Sequence, residues 1–173
     1  MARVDYDAFE GLGRMAGVVE GLDPRAAAVI ACHIALEREV MVVLERSVPR
    51  ATYLSNLGYA QKVDVLAAAW AGEDDDAAKV RAALLAYGTL RNRIAHGNDG
   101  RIEGAYAALQ AAYRALHPKA GDETSVEDIA GGIISFFGEA PTPEELRPIM
   151  RGLGQLIEQI GQSFAIKPNE TER

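Results

Sequence analysis

The chain has 173 residues, 49% of them hydrophobic and 25% charged, which is the composition of a folded globular protein and not of a disordered chain. The formal net charge of −7 excludes a protein that coats nucleic acid through a broad basic face, while a local basic site stays compatible with it. A single cysteine, Cys32, and the absence of an uninterrupted apolar run of the roughly 18 residues that a membrane span needs predict a reduced, cytoplasmic protein without a membrane segment.

The first two helices are predicted over residues 5–20 and 23–47, and Asp23-Pro24 supplies a start signal for the second. The predicted inner stripe of the second helix comprises Ile30, Ile34, Met41 and Leu44. Glu37 falls on the same stripe, and a buried carboxylate is costly unless it is paired. We therefore expect Glu37 to have a partner, either His33 one turn earlier or Arg91 from another helix.

The third helix is predicted over residues 57–71 with Ser55 or Asn56 as its cap, and the fourth over residues 77–96. We interpret the acidic run between them, residues 73–76, as a solvated turn whose last acid caps the fourth helix. Apolar spacing places Arg91 on the inner stripe of the fourth helix, aimed inward or at an interface. A fifth helix is predicted over residues 101–117, with one side formed by Ile102, Tyr106, Leu109, Tyr113 and Leu116.

Abundant alanine and few aromatic residues favour an all-α protein, an antiparallel helical bundle over residues 1–118. Residues 119–173 are predicted to form a helical C-terminal extension with a frayed tail. Within it, Thr124-Ser125-Val126-Glu127 has the pattern of a capping box that starts a short helix. Residues 133–137 could alternatively form a strand, and a last helix is predicted over residues 142–165.

The end of the fourth helix carries Arg91, Asn92 and His96 within one and a half turns. The planar guanidinium of arginine suits phosphate oxygens, and histidine is the side chain that moves protons near neutral pH. Arg93 and Arg101, together with Lys79 and Arg81, make this region locally basic and are candidates for contacts with a substrate. The combination of residue types suits a phosphodiester.

The same residues also have an architectural interpretation. Arg91 can neutralise Glu37, while Asn92 and His96 can satisfy the carbonyl groups left unpaired at the end of a helix. No metal site or cofactor is expected, because the three histidines, His33, His96 and His117, are too dispersed to form a ligand set.

Arg91-Asn92 followed by His96, with four residues between the arginine and the histidine, resembles the signature of the HEPN superfamily. The wider layout is also similar: Glu37 lies on a long helix, residues 58–63 open the next one, and Ala95-His96-Gly97 follows the arginine. This order looks like the branch that contains mannitol-operon repressor-like proteins. Toxin members of the superfamily often carry a tyrosine two residues after the histidine, where this chain has Asn98.

The resemblance implies a metal-independent endoribonuclease in stress or defence that works as a homodimer on single-stranded RNA or tRNA and leaves cyclic-phosphate ends. His96 would act as general acid or base, Arg91 would stabilise the developing charge, Asn92 would hold the arrangement, and Glu37 would support it. Two alternatives stay open: a repressor-like regulator or protein-interaction module with a regulatory protein partner, and an accessory nucleotide-binding protein. Solvent access distinguishes an enzyme from a module, because an architectural Arg91 would be sealed against Glu37.

Overall fold

The computed structural model describes residues 23–96, 99–121 and 124–138, together with residues 146, 148–149, 151–153 and 155. This part of the chain is all-α, with helices packed together and no strand, as the sequence predicts. The helix predicted over residues 5–20, the frayed tail, Gly97 and Asn98 lie outside the described residues. The α-helices are α1 (Ala26–Ser47), α2 (Tyr59–Ala68), α3 (Asp74–Ala95), α4 (Ile102–Leu116) and α5 (Val126–Phe137), with 3₁₀ helices at Ala51–Leu54 and Asp99–Arg101.

Helix α3 is the central element, and it contacts α1, α2, α4 and α5. It runs antiparallel to α2: the hydroxyl of Tyr59, at the start of α2, donates to the carbonyl of Leu84 at 3.2 Å, while Asp64 pairs with Arg81 nearer the start of α3. The start of α5 also lies beside the second half of α3. The hydroxyl of Tyr87, on α3, donates there to the backbone carbonyl of Val126, the first residue of α5. The motif at the end of α3 therefore lies at one end of the bundle. No helix in the described ranges is long and apolar enough to cross a membrane.

The inner stripe of α1 differs from the predicted one. Ile30 and Ile34 are 38% and 48% exposed, so the prediction that they face the core is wrong. The reason is that a polar residue, His33, occupies one of the core positions. A search for apolar spacing alone does not count His33 and therefore selects the wrong face of the helix. The buried stripe of α1 comprises Ala26, Val29, His33, Leu36, Val40 and Leu44.

The starts of α2 and α3 also differ from the predictions. Gly58 occupies the N-cap of α2, and the side-chain oxygen of Gln61 accepts the Gly58 N–H at 2.9 Å. The hydroxyl of Ser55 instead donates to the carbonyl of Thr52. Helix α3 begins at Asp74, so most of the acidic run forms its first turn, where carboxylates complement the positive end of the helix dipole.

Helix α5 continues through Gly131 and Gly132 to Phe137, so the alternative strand over residues 133–137 is wrong. Its cap is Ser125, whose hydroxyl oxygen accepts the Asp128 N–H at 3.1 Å, one residue later than the predicted box. The buried side of α5 belongs to the same core cluster as the other helices and comprises Val126, Ile129, Ala130 and Ile133. This helix follows the predicted linker and packs against α1, α3 and α4.

Candidate functional site

The candidate site lies at the C-terminal end of α3. His96 is the C-cap of this helix, and its backbone N–H donates to the carbonyl of Asn92 at 3.1 Å. The side chains of Asn92 and His96 are exposed, while Arg91 and Arg93 are half-buried. The imidazole of His96 is therefore accessible to a substrate and is not sealed beneath the end of the helix.

Four side chains of this helix end line one open pocket of about 420 Å³: Thr89, Asn92, Arg93 and His96. Counted from Thr89, the other three residues follow after three, four and seven positions, which is the spacing that places residues on one face of an α-helix. Sequence reasoning named three of these residues and missed Thr89. Its position, three residues before Asn92 and seven before His96, was the available sign that it shares their face.

Arg91 contacts the pocket through its neighbour. Its Nη1 donates to the Oδ1 of Asn92 at 3.0 Å, but Arg91 is not among the residues that line the pocket. This bond uses the amide oxygen of Asn92 and holds the guanidinium of Arg91 beside that side chain. Asn92 therefore joins the arginine of the motif to the pocket that contains His96.

Glu37 lies apart from this pocket and has a partner that the sequence analysis did not name. The Nζ of Lys62 lies 2.9 Å from its Oε1, so the prediction that Glu37 pairs with His33 or Arg91 is wrong. The cause is the packing of α2 along α1, which brings Lys62 to the carboxylate. The arrangement in which Arg91 is sealed against Glu37 is therefore not observed.

The remaining basic candidates are distributed along the fold and do not form one patch. Arg101 is exposed at the end of the second 3₁₀ helix and does not line the pocket. Lys79 pairs with Asp75, and Arg81 pairs with Asp64, both nearer the other end of α3. The expectation that Lys79 and Arg81 add positive charge to the motif is therefore wrong, because carboxylates neutralise both residues.

Behind the motif, a small polar cluster joins α1, α2 and α3. The rings of His33 and Tyr59 are tilted, with centroids 4.4 Å apart, and Gly88 lets them approach α3. A Cβ at Gly88 would lie 3.0 Å from the Tyr59 ring. Burial lowers the pKa of His33, the charge of Arg91 lowers it further, and Glu37 opposes the change. Burial also raises the pKa of the Tyr59 hydroxyl.

Among the residues that the structure describes, no group of three or more His, Cys, Asp or Glu side chains could hold a metal ion. Comparison of the chain with models of known families, with curated proteins and with solved structures found no match. The side chains that line the pocket supply an accessible imidazole, an amide, a hydroxyl and the guanidinium of Arg93, and the guanidinium of Arg91 is bound to Asn92 beside them. These groups can accept or donate a proton and can stabilise negative charge on a phosphate.

Proposed function

We propose that this protein is a metal-independent endoribonuclease of the HEPN type, built as an antiparallel helical bundle and acting on single-stranded RNA or tRNA in stress or defence. The observation that carries the proposal is that Asn92, Arg93 and His96 share one open pocket, with Arg91 held on Asn92. Each of these side chains has a role in cleaving a phosphodiester that carries its own nucleophile. The free thiol of Cys32 suits a reducing, cytoplasmic setting.

The proposed reaction is the attack of a ribose 2′-hydroxyl on the adjacent phosphorus. His96 takes the proton of the 2′-hydroxyl as the new P–O bond forms. The P–O5′ bond then breaks, which leaves a 2′,3′-cyclic phosphate and a 5′-hydroxyl. Arg91 and Arg93 stabilise the negative charge that develops on the phosphate oxygens, and Asn92 positions Arg91 for that contact. Single-stranded RNA suits this reaction because its backbone can reach the in-line geometry.

A second copy of the chain would complete the site. The leaving 5′-oxygen needs a proton, and one protomer contributes one histidine, His96, to the pocket. In a homodimer the partner subunit's His96 would donate that proton while the first histidine accepts one. A shared cleft would also bring together the arginines of two protomers, which raises the positive charge facing the RNA.

A second candidate function is a non-catalytic regulator or protein-interaction module with a regulatory protein partner. The exposure of Ile30 and Ile34 on α1 favours it, because large apolar side chains one turn apart on a helix surface suit contact with another protein. In that case the Arg91–Asn92 bond would serve to order the end of α3.

RNA cleavage by the purified protein in the presence of EDTA tests the proposal. Single-stranded RNA and bulk tRNA are the substrates, and the variants are His96→Ala and Arg93→Ala. The control is Arg46→Ala, because Arg46, like Arg93, lies in the last turn of a helix. We expect cyclic-phosphate ends from the wild type and the control, and none from His96→Ala. A folded dimer that does not cleave RNA supports the regulator. Cleavage that survives His96→Ala contradicts the mechanism.

A further inference from the structure

A larger cavity, of about 660 Å³, lies at the other end of α3. It is independent of the proposed ribonuclease site: Asp76 on its wall and His96 in the motif are separated by about 30 Å along the helix, at roughly 1.5 Å per residue. Its volume falls within the usual range for small-molecule sites. The residues that border it are Val43, Ser47, Leu66, Ala69, Trp70, Ala71, Gly72, Asp76, His117, Phe136 and Phe137.

Three aromatic rings form the walls of this cavity. The rings of Trp70 and Phe136 are nearly parallel, 19° apart in plane with centroids 6.2 Å apart, while the Phe137 ring is tilted at 58° and lies 6.4 Å from Trp70. All three side chains are half-buried, so part of their surface still faces the cavity. Aromatic faces carry negative electrostatic potential and attract cations, tryptophan most strongly.

The ends of the helices add charge of the same sign. Ser47, Leu66 and Phe137 lie in the last turns of α1, α2 and α5, and His117 directly follows α4. The C-terminal ends of four helices therefore meet at this cavity, each with a partial charge of about −0.5. Of the helices that the structure describes, only α3 presents its positive end here, and acidic residues 73–76 occupy its N-cap and first turn.

Among the described residues of the cavity wall, Asp76 supplies a carboxylate. Lys79 approaches Asp76 only to 3.9 Å, because its nearer partner is Asp75 at 2.5 Å. His117 adds a polar edge: its Nε2 lies 2.9 Å from the carbonyl oxygen of Gly132, so Nε2 carries the proton of that hydrogen bond. In the neutral imidazole the other nitrogen is then an acceptor, not a donor.

We propose that this cavity binds a small organic cation, a protonated or quaternary amine with an apolar body. The three aromatic faces, the four helix C-terminal ends and the Asp76 carboxylate all favour positive charge at one place. The apolar residues of the wall, such as Val43 and Leu66, suit the alkyl groups that such an amine carries. An anion of the same size would meet unfavourable charge from the aromatic faces, the four helix ends and Asp76.

Trp70 makes the proposal directly measurable, because it is the only tryptophan in the chain. Indole fluorescence of the full-length protein therefore reports on this cavity alone. The probe is choline, and its matched neutral control is 3,3-dimethylbutanol, which has the same shape without the charge. We expect a saturable change with choline and a dissociation constant at least about tenfold higher for the alcohol, from the cation–π contribution and the loss of the ionic attraction.

Two variants and one control variant test which groups supply the attraction. Asp76→Asn should raise the dissociation constant for choline several-fold, while Asp75→Asn, an equal change of charge on a neighbouring partner of Lys79, should not. Phe136→Leu keeps an apolar wall but removes a ring face, so it should weaken choline binding and leave binding of the alcohol unchanged. Far-UV circular dichroism checks that each variant is folded.

Three results would overturn the proposal. The first is the absence of a saturable change with choline from a folded protein. The second is equal affinity for choline and the neutral alcohol, which would mean that the cavity does not select positive charge. The third is an equal loss of binding in Asp75→Asn and Asp76→Asn, which would show that the overall acidity of the helix start, and not the cavity wall, attracts the cation.

Discussion

The ammonium group of Lys62 lies 2.9 Å from the carboxylate of Glu37 and connects α2 to α1. The two partners differ in burial: the Lys62 side chain is 9% exposed and that of Glu37 is 39% exposed. If the pair is broken, water can therefore hydrate the carboxylate of Glu37. The ammonium of Lys62 is shielded from water and depends on that carboxylate to balance its charge. Because Glu37 is paired with Lys62, the guanidinium of Arg91 does not bind Glu37 and instead donates to Asn92 at the pocket.

This asymmetry predicts unequal effects of the two single substitutions. Glu37→Gln removes the charge that balances a buried ammonium, so we expect a loss of about 1–3 kcal/mol in the free energy of unfolding. Lys62→Met removes the buried charge and leaves a half-exposed carboxylate in contact with water, so its cost should be below about 1 kcal/mol. Urea unfolding of the two variants measures the difference. A larger loss for Lys62→Met would contradict the assignment of the cost to the buried ammonium.

Gly132 on α5 is predicted to be intolerant of any side chain. A Cβ there would lie 2.2 Å from the hydroxyl oxygen of Tyr113, a residue whose side chain is fully buried. Gly132→Ala should therefore lower the free energy of unfolding by about 1–3 kcal/mol through overpacking. Gly104→Ala is the matched control, because Gly104 is an exposed residue of α4 with nothing near its Cβ position.

Thermal or urea unfolding distinguishes the two glycines. The control should be neutral or stabilised by up to about 1 kcal/mol, since alanine is the better helix former. Equal stability of Gly132→Ala and Gly104→Ala would show that Tyr113 can withdraw from Gly132, and so that α4 and α5 pack less tightly than the structure indicates.

The sequence predicts the fold class and α4 well because apolar spacing alone marks the inner face there. Ile102, Leu109 and Tyr113 are buried as predicted, and the observed bounds of α4 differ from the predicted ones by one residue at each end. The same method fails on α1, where the imidazole of His33 takes a core position and Ile30 faces outward. A buried polar residue is stabilised by neighbours from other helices. The apolar spacing along one helix gives no information about those neighbours.

Some features of the candidate site can likewise be predicted from the sequence, and others cannot. Asn92, Arg93 and His96 share a face because of the helical repeat, and a sequence is sufficient to predict that. The partner of Glu37 depends on how α2 lies along α1, and the cavity beside Trp70 depends on where α5 ends relative to α2. Such contacts between helices arise from packing geometry, so a single sequence without a fold does not define them.

His33 predicts a pH dependence of stability. Burial and the charge of Arg91 lower its folded-state pKa below the ordinary value of 6.5, and the charge of Glu37 opposes this only in part. In the window between the folded pKa and 6.5 the unfolded state binds the proton more readily, so stability rises with pH. The stabilising contribution of the neutral imidazole is complete above that window and is lost as the pH falls through it, with a slope of at most about 1.4 kcal/mol per pH unit.

Urea unfolding between mildly acidic and neutral pH measures this contribution. His33→Gln removes the titrating group, so its free energy of unfolding should fall less steeply on acidification than that of the wild type. His96→Gln keeps His33 and serves as the control, which should retain the fall. Parallel curves for the wild type and His33→Gln would show that protonation of His33 is not linked to folding.

The hydrogen bond between Arg91 and Asn92 leads to a prediction that rests on the proposed ribonuclease activity. Asn92→Ala leaves both arginines and His96 in place but removes the acceptor that holds the Arg91 guanidinium at 3.0 Å. We expect kcat for RNA cleavage to fall by up to about a hundredfold with a smaller change in KM, because a misplaced charge stabilises the transition state less well.

The matched control is Asn56→Ala, an exposed asparagine in the connection before α2. Both substitutions are at the surface, so each should change the free energy of unfolding by less than about 0.5 kcal/mol. Full activity of Asn92→Ala, together with inactivity of His96→Ala, would mean that Arg91 reaches the phosphate without this bond and that Asn92 has no part in positioning it.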